Sequence, residues 1–305
     1  MRAFIIGATG YIGGTIAARL RAAGHEVSGL ARDPAKAALL ERRGIAPVAG
    51  SLDDNEVLKR ACRDADATIN AASSDHRGAV EACLEALAGT GKPFLHTSGS
   101  SIVADDAEGE FGEAVFDEAT PFTPPPLRAA RVALDRDIRS AAGRGVRSVV
   151  LCNSLIYGLG LGLHRDSVQV PTLVALARQR GVASHVGRGL NTWSTVHVAD
   201  MADLYLLALE RAPAGSFWFV ESGEASFHDM ASAIGRSLGL GDRTEPWPMV
   251  AAIAAWCESK ARYTMASNSR VRADRARDLL GWRPGGPSVL ADIASGRYEK
   301  IVTSG

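Results

Sequence analysis

Four apolar residues, Ala3-Phe4-Ile5-Ile6, run directly into Gly7-Ala8-Thr9-Gly10-Tyr11-Ile12-Gly13. Ile12, Ile16 and Leu20 then recur at four-residue intervals with small residues between them. The apolar run, with its aromatic and β-branched members, reads as a buried strand. The segment from Tyr11 to Ala23 reads as a helix with one apolar face. A strand, a glycine turn and a helix in that order open a dinucleotide-binding unit. Gly7 permits the tight turn, Gly10 lets backbone approach a pyrophosphate, and Gly13 lets helix and strand pack closely. The unpaired N–H groups at the helix start favour phosphate charge, so Thr9, Tyr11 and Ile12 join the glycines as the expected cradle.

The same alternation continues down the chain. His25 to Leu30 reads as a second strand after the helix-ending Gly24, and Pro34 to Arg43 as a second helix. Ile45-Ala46-Pro47-Val48 gives a third strand, a helix around Asp54 to Cys62 follows, and Ala67-Thr68-Ile69-Asn70 gives a fourth. Arg77 to Ala88 and Phe94-Leu95-His96-Thr97 supply the fourth helix and fifth strand. This rhythm predicts an α/β protein with a doubly wound parallel sheet of six or seven strands. Beyond Tyr157 the alternation loosens into a smaller C-terminal cap. The expected division is 1–158 with 182–222 for the dinucleotide-binding part, and 159–181 with 223–305 for the substrate cap.

Ligand contacts are expected at strand ends, where such sheets bind. Ser51 and Leu52 follow the third strand, where an adenine ring lodges, and the small Ala71-Ala72-Ser73 let backbone pass close to a ligand. An acidic residue at the end of the second strand accepts the ribose hydroxyls of NAD, but here Arg32 leads, followed by Asp33. A guanidinium matches a 2′-phosphate, so NADP(H) is expected over NAD(H). The acidic, proline-bounded stretch from Asp105 to Thr120 is expected as a surface flap.

Composition narrows the partners. Lys plus Arg and Asp plus Glu each total 34, which argues against nucleic acid or an anionic membrane surface. Cys62, Cys83, Cys152 and Cys257 show no metal-ligand spacing and read as core residues in a reducing compartment, so no metal is expected. The first strand begins at once, no apolar run approaches the roughly 20 residues of a membrane span, and a cytoplasmic protein with a small-molecule substrate is expected.

Taken with His96-Thr97-Ser98-Gly99-Ser100, Ile156-Tyr157-Gly158, Val196-His197-Val198-Ala199-Asp200 and Leu280-Gly281-Trp282-Arg283-Pro284, the glycine motif resembles the short-chain dehydrogenase/reductase superfamily in its extended, epimerase/dehydratase-like form. The resemblance implies NAD(P) in the first domain and substrate in the cap. It also implies a homodimer through the fourth and fifth helices, whose small residues are Ala79, Ala82, Cys83 and Ala86, then Ala129, Ala130 and Ala133.

The family's engine is Tyr-x-x-x-Lys on the fifth helix, helped by a serine after the fifth strand. Ser100 matches the serine by its distance from Val103. Counting back from Asp135, Leu127 stands where the tyrosine belongs and Arg131 where the lysine belongs, which resembles an atypical subgroup. Arg131 is then expected to bind the nicotinamide ribose and to stabilise a developing alkoxide. Ser100 or Ser98 would polarise a carbonyl. Arg128 is a second basic candidate. Water or Tyr157 remains as a proton source, although packing beneath the cap is the commoner role for such a tyrosine, and His197 reads as a brace for the helix at Asp200. The position where nucleotide-sugar members carry asparagine holds Leu155, and Trp193 and Trp247 add apolar bulk.

The expected activity is NADP(H)-dependent reduction of a small carbonyl compound. A non-catalytic NADP(H) sensor or scaffold and a sugar-nucleotide epimerase or dehydratase are the alternatives.

Overall fold

The computed structural model describes residues 1–300, so residues 301–305 of the expected cap lie outside the described residues. Strand β1 (Arg2–Ile6) leads through the glycine turn into α1 (Tyr11–Ala22). Then follow β2 (Glu26–Ala31), α2 (Pro34–Arg42), β3 (Ala46–Ala49), α3 (Asn55–Asp64), β4 (Ala67–Asn70), α4 (Arg77–Leu87) and β5 (Pro93–Gly99). A long connection reaches α5 (Ala129–Ser140) and β6 (Arg147–Asn153). After β7 (Leu155–Tyr157), α6 (Gln169–Arg180), β8 (Ala183–Val186) and β9 (Thr192–His197) come α7 (Val198–Arg211) and β10 (Ser216–Val220). The remainder comprises β11 (Gly223–Ser226), α8 (Phe227–Ser237), β12 (Thr244–Trp247), α9 (Met249–Trp256), α10 (Glu258–Lys260), α11 (Asp274–Leu280) and α12 (Val289–Ala294).

The main sheet is seven-stranded, in the order β10-β6-β5-β4-β1-β2-β3, and its pairings are parallel. Chain order reverses between β1 and β4, the point where sheets of this type open a crevice at their carboxyl ends. Strand alternation feeds two cores. Ala3, Ile5, Leu95, Val149, Leu151 and Trp218 enter the core shared with α1 and α7. Phe4, Ile6, Phe94, Val150, Cys152 and Phe219 enter the core shared with α3, α4 and α5. Both faces are covered, which is why these strands read as continuous apolar runs.

The cap carries a sheet of order β11-β9-β7 and a two-stranded pairing of β12 with β8, so β7, β8 and β9 stand outside the main sheet although they lie in the stretches expected above in the dinucleotide-binding part. Its own core gathers Tyr157, Trp193, Phe227, Met230 and Ile234. Trp282 anchors the C-terminal part. It is fully buried, and its indole donates to the Asp200 carbonyl at 2.9 Å. The Asp200 carboxylate accepts from the backbone N–H groups of Gly285 and Gly286 at 3.0 and 2.9 Å.

The acidic stretch differs from a free surface flap. Phe116 exchanges backbone hydrogen bonds with the 270–272 segment, and Asp105 accepts from the Asn268 backbone and side chain. Arg262 reaches both Asp106 and Glu108 at 2.8 Å. The acids therefore strap the connection onto the cap. The small residues of α4 (Ala79, Ala82, Cys83 and Ala86) are buried within the protomer, whereas Ala129, Ala130 and Ala133 on α5 are exposed.

Candidate active site

The glycine turn has the shape of a phosphate cradle. Gly7 lies at φ 95°, and a Cβ there would meet the Ala72 nitrogen at 2.7 Å. A Cβ on Gly13 would lie 2.4 Å from the Gly7 carbonyl oxygen. Substituting either residue forces the turn open. Gly10 caps α1 with no side-chain hydrogen bond, and the first turn carries no acidic residue. The helix start therefore presents its N–H groups and positive dipole end without internal compensation, which fits a pyrophosphate.

The other expected cofactor residues sit along the same sheet edge. Ala71, Ala72 and Ser73 follow β4, and the backbone of Ala71 and Ala72 passes over Gly7. Ser51 and Leu52 follow β3, where the Ser51 backbone N–H donates to Asp54 at 2.6 Å. Arg32 follows β2 and is exposed. Its neighbour Asp33 is already engaged as the N-cap of α2, accepting from the Lys36 N–H at 2.8 Å. The carboxylate is therefore engaged by its own helix, although both it and the guanidinium are exposed.

Beside the cradle, a cleft of about 240 Å³ lies between the sheet edge and the cap. Tyr11 and Ile12 wall one side, Ser98, Ser100, Ser101 and Arg131 line the floor, and Val168 and Trp193 come from the cap. Ser100 receives a hydrogen bond from the Ser269 hydroxyl at 2.8 Å. Ser101 receives one from Arg128 Nε at 2.9 Å and a longer one from Arg131 Nη1 at 3.4 Å. Ser101 accepts in both of its contacts and keeps its own proton for a ligand, whereas the single proton of Ser269 is shared between the carbonyl and the hydroxyl of Ser100, each at 2.8 Å. Arg131 also grips Asp75, and that pairing holds the Asp75 carboxyl below the usual carboxylate range.

Beneath the floor lies a polar layer set by strand alternation. Thr97 points toward α7, where Tyr205 donates to it at 2.9 Å and accepts from Asn153 at 2.9 Å. His96 and Ser98 share the opposite face with Phe94, toward α5. There the Ser98 hydroxyl donates to Asp135 Oδ2 at 2.7 Å. His96 Nε2 faces Asp135 Oδ1 at 3.9 Å, and neither atom has a hydrogen-bond partner. Burial pushes the Asp135 carboxyl up to about 7 and His96 down to about 4.

The structure thus brings Ser98, Ser100 and Arg131 together, and adds Ser101, Asp75 and Ser269, which the sequence reading did not single out. The repeated serines at 100 and 101 were a visible signal for Ser101. Nothing local marked Asp75 or Ser269, because their roles depend on distant partners. Tyr157, open above as a proton source or as packing beneath the cap, is buried in the cap core and donates to the Pro287 carbonyl at 2.6 Å, away from the cleft lining. His197 caps α7, accepting from the Ala199 N–H at 3.3 Å. Leu127 stands in the turn before α5, is 54% exposed and does not line the cleft. The tyrosine that does line it is Tyr11, whose hydroxyl donates to the Gly158 carbonyl at 2.8 Å. Burial raises that phenol well above its ordinary range, so it holds its proton.

A parallel seven-stranded sheet with an uncapped glycine turn at its switch point defines an NAD(P)-binding protein of Rossmann type. The chain belongs to the NAD dependent epimerase/dehydratase family, whose sequence profile matches residues 3–218. It is 32% identical over 330 residues to oxidase ucsJ of an Acremonium species, covering 95% of this chain and 94% of the relative. It is 27% identical over 241 residues to a 4-hydroxy-2-methyl-3-oxo-4-farnesyl-3,4-dihydroquinoline-1-oxide ketoreductase of Stigmatella aurantiaca, covering 73% of this chain and 69% of the relative. The fold is similar to that of dTDP-glucose 4,6-dehydratase from Bacillus anthracis in complex with NAD. The TM-score there is 0.77 at 16% identity, over 98% of this chain and 96% of that one. Among the described residues no helix is long and apolar enough to cross a membrane.

Proposed function

We propose that this protein is an NADP(H)-dependent reductase of small carbonyl compounds, from a subgroup of its family that lacks the Tyr-x-x-x-Lys pair. The observation that carries the reading is the cleft floor, where Ser100 and Ser101 hydroxyls and the Arg131 guanidinium converge beside the glycine cradle. Gly10 to Gly13 would hold the pyrophosphate, Arg32 the 2′-phosphate, Ser51 and Leu52 the adenine, and Arg131 the nicotinamide ribose. When bound, the reduced cofactor supplies a hydride to the carbonyl carbon. Ser100 and Ser101 then orient the substrate oxygen by hydrogen bonds. The guanidinium of Arg131 stabilises the negative charge that grows on that oxygen. It does not supply the proton, because a guanidinium stays protonated in proteins.

A carbonyl substrate with an apolar portion suits the surroundings. A neighbouring groove of about 370 Å³ shares Ser167 and Val168 with the cleft and is lined by Pro171, Leu176, Trp247 and Trp256. The name of the Stigmatella relative, a ketoreductase of a farnesylated compound, supports the same direction. Incubation with NADPH and a panel of ketones and aldehydes, following loss of NADPH absorbance, tests the proposal. Oxidation dependent on a carbonyl supports it. NADPH binding without turnover would instead favour a sensor, and tight binding of a sugar nucleotide an epimerase or dehydratase.

A further inference from the structure

The cleft floor lacks an evident acid. Tyr11 is locked to a carbonyl, Tyr157 is elsewhere, and the cations keep their protons. Asp135, a buried ionisable group outside the substrate-binding set, touches the floor: it is 3% exposed, and its Oδ2 accepts the Ser98 hydroxyl at 2.7 Å. Ser98 itself lines the cleft. On its other side Asp135 lines a separate cavity of about 310 Å³, bounded by Asp117 to Phe122, Arg136, Arg139, Phe217 and Phe219. Asp117, Arg136 and Arg139 are exposed, so that cavity reaches solvent. A carboxyl thus stands between the reaction cleft and an outer cavity, with one serine hydroxyl bridging the first gap.

We propose that Ser98 and Asp135 form a proton relay into the cleft, the Ser98 hydroxyl giving its proton to the substrate oxygen and the Asp135 carboxyl replacing it. The relay rests on the carbonyl-reductase reading. As the carbonyl carbon receives hydride from the reduced nicotinamide dinucleotide, the C=O π pair moves onto oxygen. That oxygen takes the Ser98 proton, and Ser98 Oγ takes the proton of Asp135. The resulting carboxylate recovers a proton from water through the outer cavity. With Asp135 protonated, the Ser98–Asp135 hydrogen bond reverses, and the hydroxyl is freed to point at the ligand.

The groups around Asp135 are compatible with this cycle. His96 and Ser98 face it from β5, Cys152 from β6, Arg131 and Arg139 from α5, Asp75 from beyond β4, and Glu118 shares the outer cavity. Burial is the largest influence on Asp135 and favours the neutral acid, against Ser98 and Arg131, which favour the anion. His96 is neutral through burial, and its Nε2 stands 3.9 Å from the same carboxyl.

The test uses the full chain in two arms. In the cofactor-free protein, an infrared difference between wild type and Asp135→Asn should show a protonated-carboxyl band that disappears as pH rises through about 7. With NADPH and a ketone, wild-type kcat/KM should fall across the same range. Asp135→Asn should lower kcat about 10²-fold, within the usual range for removing an acid–base group, and should flatten that limb. NADPH affinity should not change. Ser98→Ala, which leaves the carboxyl in place, should give a matching loss and covers the case in which Asp135→Asn does not fold. A carboxyl ionised throughout, or variants that keep both rate and pH limb, would overturn the relay while the reductase reading stands. Absence of ketone-dependent NADPH oxidation by wild type would overturn the reductase reading, and the relay with it.

Discussion

Arg131 and Asp75 meet in a two-point pair, Nε to Oδ1 at 2.8 Å and Nη2 to Oδ2 at 2.6 Å, at the rim of the cleft. The Arg131 side chain is largely covered and that of Asp75 largely exposed. The cation is therefore held in place by a carboxylate that solvent can stabilise elsewhere. Substitutions at the two positions should act in opposite directions. Arg131→Met should lower kcat about 10²–10³-fold, as loss of a preorganised donor does, and should weaken NADPH. Asp75→Asn removes a competing anion and should tighten NADPH. Isothermal titration of each variant with NADPH checks the pair, and changes of the same sign would count against a cofactor role for Arg131.

On the proposed reading, cofactor choice rests on Arg32, an exposed cation after β2. Arg32→Ala should weaken NADPH by about 1.5–3 kcal/mol, the usual worth of a hydrogen bond to a charged group. NADH binding should be nearly unchanged, because Asp33 is committed to the cap of α2. Parallel titrations decide the matter. Equal losses for both cofactors would remove the 2′-phosphate role.

The buried acid predicts a pH signature in stability. The Asp135 carboxyl is raised to about 7 in the folded chain, so its contribution is present at low pH and is lost as pH rises toward 7. His96 is depressed to about 4, so its contribution is lost as pH falls from 6.5 toward 4. In wild type the two slopes oppose each other between about pH 4 and 6.5. Asp135→Asn leaves His96 alone, so stability of the variant should rise across that window by about 1–3 kcal/mol relative to wild type, at about 1.4 kcal/mol per pKa unit. Urea unfolding over a pH series measures it, and parallel profiles would contradict the raised carboxyl.

A stability prediction attaches to Trp282. The side chain fills the space beneath α7 and spends its indole N–H on the Asp200 carbonyl. Trp282→Ala should cost about 3–5 kcal/mol, the range for removing a large aromatic from a core. Thermal and chemical unfolding of the variant give the number. A loss under about 1 kcal/mol would mean that the site collapses freely or that the tail is not anchored there.

The sheet was legible because its signal is local and repeated. Ala3 to Ile6 and the glycines that follow state strand, turn and helix within 13 residues, and the same alternation repeats as far as β5 at Phe94 to Thr97. The cap was less legible because it is held by long-range pairing. β8 finds β12 across more than fifty residues, and the acids at 105–108 find Arg262 and Asn268. Site residues divided in the same way. Ser98 and Ser100 follow from their place after β5. Asp75 becomes visible only once α5 delivers Arg131 to it. Tyr157 left two readings open because an aromatic beside a glycine at a strand end looks the same whether it faces the cleft or the cap core, and packing beneath the cap was the commoner one.

The first turn of α1 also roots the cap. Tyr11 donates to the Gly158 carbonyl, Thr15 Oγ1 accepts the Leu161 N–H at 3.1 Å, and a Cβ on Gly14 would come within 2.9 Å of Gly162 Cα. One turn of helix is thus a wall of the cleft, the hinge-post of the chain entering the cap and, on the proposed reading, the pyrophosphate seat. The kinetic consequence is sequence of arrival. A dinucleotide settling on that turn finishes the wall against which a substrate must lie, so cofactor should add first and leave last. Product-inhibition patterns should show oxidised cofactor competing with reduced cofactor alone.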